Sequence, residues 1–112
     1  MANDTTKMDS FLTLSDIDKL VHEPARLMIL SYLSVINSAD FTFLMNQTEL
    51  TRGNLSSHIS KLETAGYVKV NKEFVDKIPR TLIRITTKGK NALKKYRDNM
   101  KGIIDSLSEN GG

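Results

Sequence analysis

Arg52, Gly53, Asn54, Ser57, His58, Ser60 and Lys61 lie within ten consecutive positions that hold hydrogen-bonding groups and cations but no carboxylate. These side-chain types suit nucleotides. Asn54 matches the donor–acceptor pair of an adenine edge, the serines are permissive partners, and Arg52 reaches phosphate or a guanine edge. Such a set needs a rigid carrier. Thr51 is a favourable helix N-cap and Gly66 a favourable stop, and between them Leu55, Ile59 and Leu62 recur at i, i+4, i+7. A helix over 52–64 that buries this stripe turns Gly53, Asn54, Ser57, Ser60, Lys61 and Thr64 outward. An ordinary solvated face interleaves Glu with Lys. This face does not, which suits close approach to a polyanion, and the expectation is a DNA-recognition helix.

Blander roles stand beside these. Gly53 also fits a plain helix start, and Arg52 and Lys61 also fit solvated surface. His58 sits about 60° from the centre of the stripe. A half-buried edge histidine and a phosphate ligand are equally compatible with that position.

A second cationic group follows. Lys72, Lys77 and Arg80 fall in the segment 71–80, between β-prone runs at 67–70 and 81–86. Pro79 within it predicts an exposed β-loop rather than paired strand. Basic side chains at a hairpin tip can hold flanking phosphates, which positions a protein without reading sequence. Arg80, stiffened by Pro79, ranks first among them, while Lys69 and Arg84 read as solvated. Residues 1–50 carry three basic and seven acidic side chains, net −4, whereas residues 51–112 carry thirteen and six, net +7. The +3 total thus conceals a basic half that begins at the candidate helix, as a phosphate-binding surface requires. A merely solubilising surface is the alternative.

The remaining chain must hold these two groups. Residues 1–10 are polar and aperiodic, a disordered arm. Ser15 and Asp18 predict a short helix over roughly 15–21, preceded by Phe11 and Leu12. Pro24 opens a second helix to about Ile36, with Leu27, Leu30, Leu33 and Ile36 inward. Phe41-Thr42-Phe43 is β-prone, and a brief helix near 43–46, capped by Thr42, leads through a turn at 47–50 into the 52–64 helix. Phe41, Phe43 and Met45 read as core. The order helix, helix, short strand, helix, helix, strand, loop, strand is that of a winged helix-turn-helix spanning 11–86. The fold class expected is mainly α with a small β-hairpin. Thr87 caps a last helix to 108, followed by a frayed tail over 109–112. Its Leu93, Tyr96, Met100, Ile103 and Leu107 are spaced 3, 4, 3, 4, a coiled-coil-like seam. That stripe is longer than one small body needs, so this helix, helped by Phe11 and Leu12, is expected to form a homodimer.

Several classes of function find little support. No cysteine is present, and the two histidines lie in separate segments, so no metal site is expected. No nucleophile–base set or glycine-rich phosphate loop occurs, so neither an enzyme nor a cofactor is expected. No apolar run reaches about 18 residues and no secretory pattern opens the chain, which predicts no membrane association and a cytoplasmic location.

Glu23-Pro24-Ala25-Arg26-Leu27-Met28-Ile29-Leu30 resembles the D-P-x-R-x-x-I-L helix of the arsenical-resistance-type and multiple-antibiotic-resistance-type regulators, with Glu23 in place of aspartate. The run from Asn54 to Val68 is similar to their N-L-S-x-H-L-x-K-L-E-x-A-G-Y-V signature, with Ile59 for a leucine. Pro79-Arg80-Thr81 and Ile85-Thr86-Thr87-Lys88-Gly89 resemble their wing and the opening of their last helix. The likeness covers about 14–105, with the motifs in the same order. It implies a homodimeric, sequence-specific regulator of double-stranded DNA, with Arg80 on the wing and His58 as a phosphate ligand. A small-molecule effector seated between subunits is compatible with this plan, although no residue set specifies one. The alternative is a winged-helix protein-interaction adaptor that never touches DNA, since fold does not dictate function. A structured-RNA binder is a third reading.

Overall fold

A computed structural model describes residues 17–111, with side chains described to 107. The expected arm at 1–10 and the expected contacts of Phe11 and Leu12 lie outside the described residues.

Helix α1 spans Lys19–His22, and Asp18 is its N-cap, with Oδ1 accepting from the N–H groups of Leu20 and Val21 at 3.0 and 3.2 Å. The helix is therefore shorter than the 15–21 expected. The other carboxylate oxygen of Asp18 accepts the Tyr67 hydroxyl at 2.7 Å. Burial of Tyr67, reinforced by this hydrogen bond and the Asp18 charge, pushes its pKa up to about 12 from 10.0. The neutral phenol is the form the fold favours. Its contribution is therefore complete below pH 10 and is lost as pH rises from about 10 to about 12. In an alkaline absorbance titration Tyr67 should ionise near pH 12, and Tyr67→Phe should remove that step. Loss on Tyr67→Phe of a step near pH 10 instead would count against the contact.

Helix α2, Pro24–Ile36, begins with Pro24 in its first turn, and the Glu23 carboxylate accepts from the Ala25 and Arg26 N–H groups at 3.1 and 3.0 Å. Asn37, at φ 68°, closes it by returning its N–H to Leu33. Ile29, Leu30 and Leu33 are fully buried. Ile36 is 42% exposed, contrary to expectation, because Ile29 takes the inward position and rotates the buried stripe.

Strand β1 is Ser38–Asp40, and helix α3 is Phe41–Thr48. The strand thus precedes the Phe41-Thr42-Phe43 run that reads as β-prone. Asp40 is the reason. Its Oδ1 accepts the Phe43 N–H at 2.7 Å, so it rather than Thr42 caps the helix and Phe41 is already helical. Phe41 and Met45 pack against the core, but Phe43 is 40% exposed. The three residues Glu49-Leu50-Thr51, with Glu49 at φ 59°, turn the chain into helix α4, Arg52–Thr64.

Strands β2, Val68–Val75, and β3, Ile78–Ile85, pair antiparallel from Val68↔Ile85 out to Val75↔Ile78, and β1 adds to the far side of β3 over Leu82–Arg84. The expected loop over 71–80 is instead a ladder closed by a two-residue turn, Asp76-Lys77, both at positive φ. Pro79 is tolerated because β1 does not extend to it, so one side of β3 is open at that position.

Helix α5, Thr87–Gly111, is capped by Thr86 rather than Thr87, since Thr86 Oγ1 accepts the Gly89 N–H at 3.0 Å. It also runs past the expected end at 108. Tyr96 lies in the core with its hydroxyl 2.7 Å from His22 Nδ1, and Leu93 and Met100 pack on the same core. Three of the five stripe positions expected to form an intersubunit seam are therefore occupied within one chain. Ile104 and Leu107 beyond it are 57% and 66% exposed.

Candidate nucleic-acid interface

Helix α4 is set at both ends by its own residues. Thr51 Oγ1 accepts the Asn54 N–H at 3.2 Å. At the other end Gly66, at φ 83°, donates to Glu63 O and Tyr67 to Leu62 O, both at 2.9 Å, a Schellman closure that needs a left-handed residue at Gly66. Leu55 and Leu62 are fully buried and Ile59 nearly so. Arg52, Gly53, Asn54, Ser57, Ser60 and Lys61 are all exposed, as expected. A Cβ on Gly53 would meet nothing within 4 Å, so packing inside the chain does not require glycine there. Glu63 is the only carboxylate of α4, and it lies on the flank that faces the hairpin.

His58 stands apart from this exposed set. Its side chain is 18% exposed, with Nδ1 3.1 Å from Arg26 Nη1 and 3.4 Å from Glu23 Oε2. A guanidinium only donates, so Nδ1 accepts and the neutral ring carries its proton on Nε2. Arg26 also donates from Nε to Leu20 O at 2.7 Å, which joins α1, α2 and α4. Burial opposes ionisation of Glu23. The two backbone hydrogen bonds from Ala25 and Arg26, with the positive charge of the Arg26 guanidinium, outweigh it and hold this carboxyl below its ordinary range.

The hairpin stands beside α4 across a groove of about 360 Å³, walled by Arg52, Ser56 and Ser60 on one side and Val70, Lys72 and Thr81 on the other. Arg52 lies over the Phe41 ring, 5.5 Å from its centroid. Arg80 donates from Nη1 to Asp40 Oδ2 at 2.9 Å, which ties the wing to the cap of α3. Lys72 and Lys77 are exposed, and neither forms an ion pair among the described residues. The structure thus brings Arg52, Lys72 and the outward face of α4 to one side, and leaves His58 behind it. Sequence reasoning missed Phe41 as a platform and Asp40 as the partner of Arg80. Both depend on β1 packing against β3, for which a three-residue strand gives no periodic signal.

A family model described as "Winged helix DNA-binding domain" matches residues 25–104. The chain belongs to the winged helix DNA-binding domain family. It is 36% identical over 78 residues to an uncharacterized protein of Methanocaldococcus jannaschii, covering 70% of this chain and 85% of that one. It is also similar to a transcriptional regulator homologue from Pyrococcus horikoshii OT3, with 33% identity and a TM-score of 0.77 across 96% of this chain and 98% of that one. A MarR-family transcriptional regulator from Silicibacter pomeroyi shares the fold at 19% identity and a TM-score of 0.60, over 79% of this chain and 58% of its own. The winged helix identified from element order holds, and the likeness to multiple-antibiotic-resistance-type regulators holds at the level of the fold. In this winged helix DNA-binding domain α3 and α4 form the helix-turn-helix and β2–β3 the wing. No described helix is long and apolar enough to cross a membrane.

Proposed function

We propose that the protein is a homodimeric transcriptional regulator that lays α4 in the major groove of duplex DNA and its wing on the flanking backbone or minor groove. The observation that carries this reading is the outward face of α4. Asn54, Ser57 and Lys61 are exposed there without a carboxylate, although the same helix buries Leu55 and Leu62 completely. Asn54 reads a base edge, Arg52 and Lys61 meet phosphates, and Lys72 and Lys77 hold the adjacent backbone. Ile103, Ile104 and Leu107 supply the seam between copies, since the earlier part of the α5 stripe packs on its own body. A two-fold pair would present its two α4 helices to half-sites about 34–36 Å apart.

Selection of bound sequences from a random duplex pool, with a solution mass measurement, tests this directly. On the selected site Asn54→Ala should lose about tenfold in affinity and relax the preference at one base pair. Lys72→Ala should instead weaken all duplexes about equally. A pool with no enrichment, or a monomer in solution, would count against the reading.

A further inference from the structure

Phe74, near the end of β2, is 78% exposed. Side chains alternate along a strand, so Val68, Val70, Lys72 and Phe74 share one face of the hairpin, with Pro79 and Thr81 beside them across the ladder. Near the body this face buries Val68 and walls the groove beside α4 through Val70, Lys72 and Thr81. Phe74 is the next position outward on that face, about 7 Å beyond Lys72. It overhangs the side of the molecule that carries Arg52 and Ser60. The only strand carboxylate of the hairpin, Glu73, belongs to the opposite face. The ladder is continuous to Val75↔Ile78, and a turn with both residues at positive φ matches the strand twist, so the ring is carried on a stiff arm.

We propose that Phe74 is an apolar wedge that enters the DNA minor groove beside the segment read by α4, where it packs on sugars and partly opens one base step. Lys72, on the same face, and Lys77, in the turn, bind the phosphates on either side, a charge complementarity that selects a polyanion over an apolar protein surface. The inference rests on the duplex-binding reading above. It adds a source of specificity at base pairs α4 does not touch, because pyrimidine–purine steps open most easily.

The experiment uses the selected duplex with 2-aminopurine placed in turn at each step flanking the α4 contact. The full-length parent should raise fluorescence at one step. Phe74→Ala should abolish that rise and weaken binding about tenfold with an unchanged salt slope. Phe74→Leu should keep part of both effects. Lys72→Ala should keep the rise and reduce the steepness of the slope by about two, one phosphate contact in each copy. Phe74→Ala behaving as the parent, while Asn54→Ala still loses its preference, overturns the wedge alone. Conversion of a dimer to a monomer by Phe74→Ala also overturns it, by assigning the ring to a contact between copies. A parent that binds no duplex overturns the proposed function and the wedge together.

Discussion

Between 50 and 200 mM salt, affinity for duplex DNA should fall by about four orders of magnitude. In the proposed dimer the cations offered to phosphates are Arg52, Lys61, Lys72 and Lys77 of each copy, all exposed. Two copies neutralise about eight phosphates, and each neutralisation releases condensed counterions, so the log–log slope should lie near −7. Arg80 is left out of that sum for a structural reason. Its guanidinium already faces Asp40 at 2.9 Å, so meeting a phosphate exchanges one anion for another and gains little. Arg80→Ala should therefore lower the slope less than Lys72→Ala, which reverses the ranking that the Pro79-Arg80 motif suggests. Anisotropy titrations at four or so salt concentrations read both quantities. A slope near zero would show that the basic half of the chain serves solubility.

Gly89→Ala should cost about 3 kcal/mol of stability, near the upper end of what an added methyl group costs in a filled site. The new Cβ would overlap the Tyr67 carbonyl oxygen and stand 3.0 Å from Ile85 Cγ1. Side-chain rotation cannot relieve the first contact, because the oxygen belongs to the backbone and accepts the Thr86 N–H at 3.0 Å. Either the first turn of α5 lifts or the start of β2 shifts. The midpoint of thermal unfolding followed by circular dichroism should fall by about 12 °C. Gly102→Ala is the internal control. It makes the same chemical change within the same helix where nothing lies within 4 Å, and should stabilise by up to about 1 kcal/mol. Equal behaviour of the two variants would mean that α5 does not dock on Tyr67.

Helix α4 was legible because three local signals agree: the Thr51 cap, the apolar i, i+4, i+7 stripe, and Gly66, whose φ of 83° suits no other residue as well. The hairpin was legible only at its base. Pro79 argues against a strand when the open side of β3 is not known, and Asp76-Lys77 lacks the glycine that usually marks a two-residue turn. Thr86 and Thr87 are both plausible caps as sequence. Thr86 is favoured in the fold because its hydroxyl also donates to Gly66 O at 2.6 Å, a partner twenty residues away. Long-range pairings of this kind, Asp40 with Arg80 and Asp18 with Tyr67 among them, follow from strand register and helix docking, which no periodicity encodes.

The junction around Thr86 also acts as a fulcrum. It welds the end of α4, the root of the wing and the first turn of a 25-residue shaft into one block. That shaft is about 37 Å long, so a tilt of about 5° at its root moves the far end by about 3 Å, close to the rise of one base pair. In a pair of copies joined at the far ends, the tolerated spacing between half-sites is then dictated by the stiffness of this block. A change of operator length would then be accommodated more readily by substitutions at Thr86, which loosen this block, than by any on the outward side chains of α4.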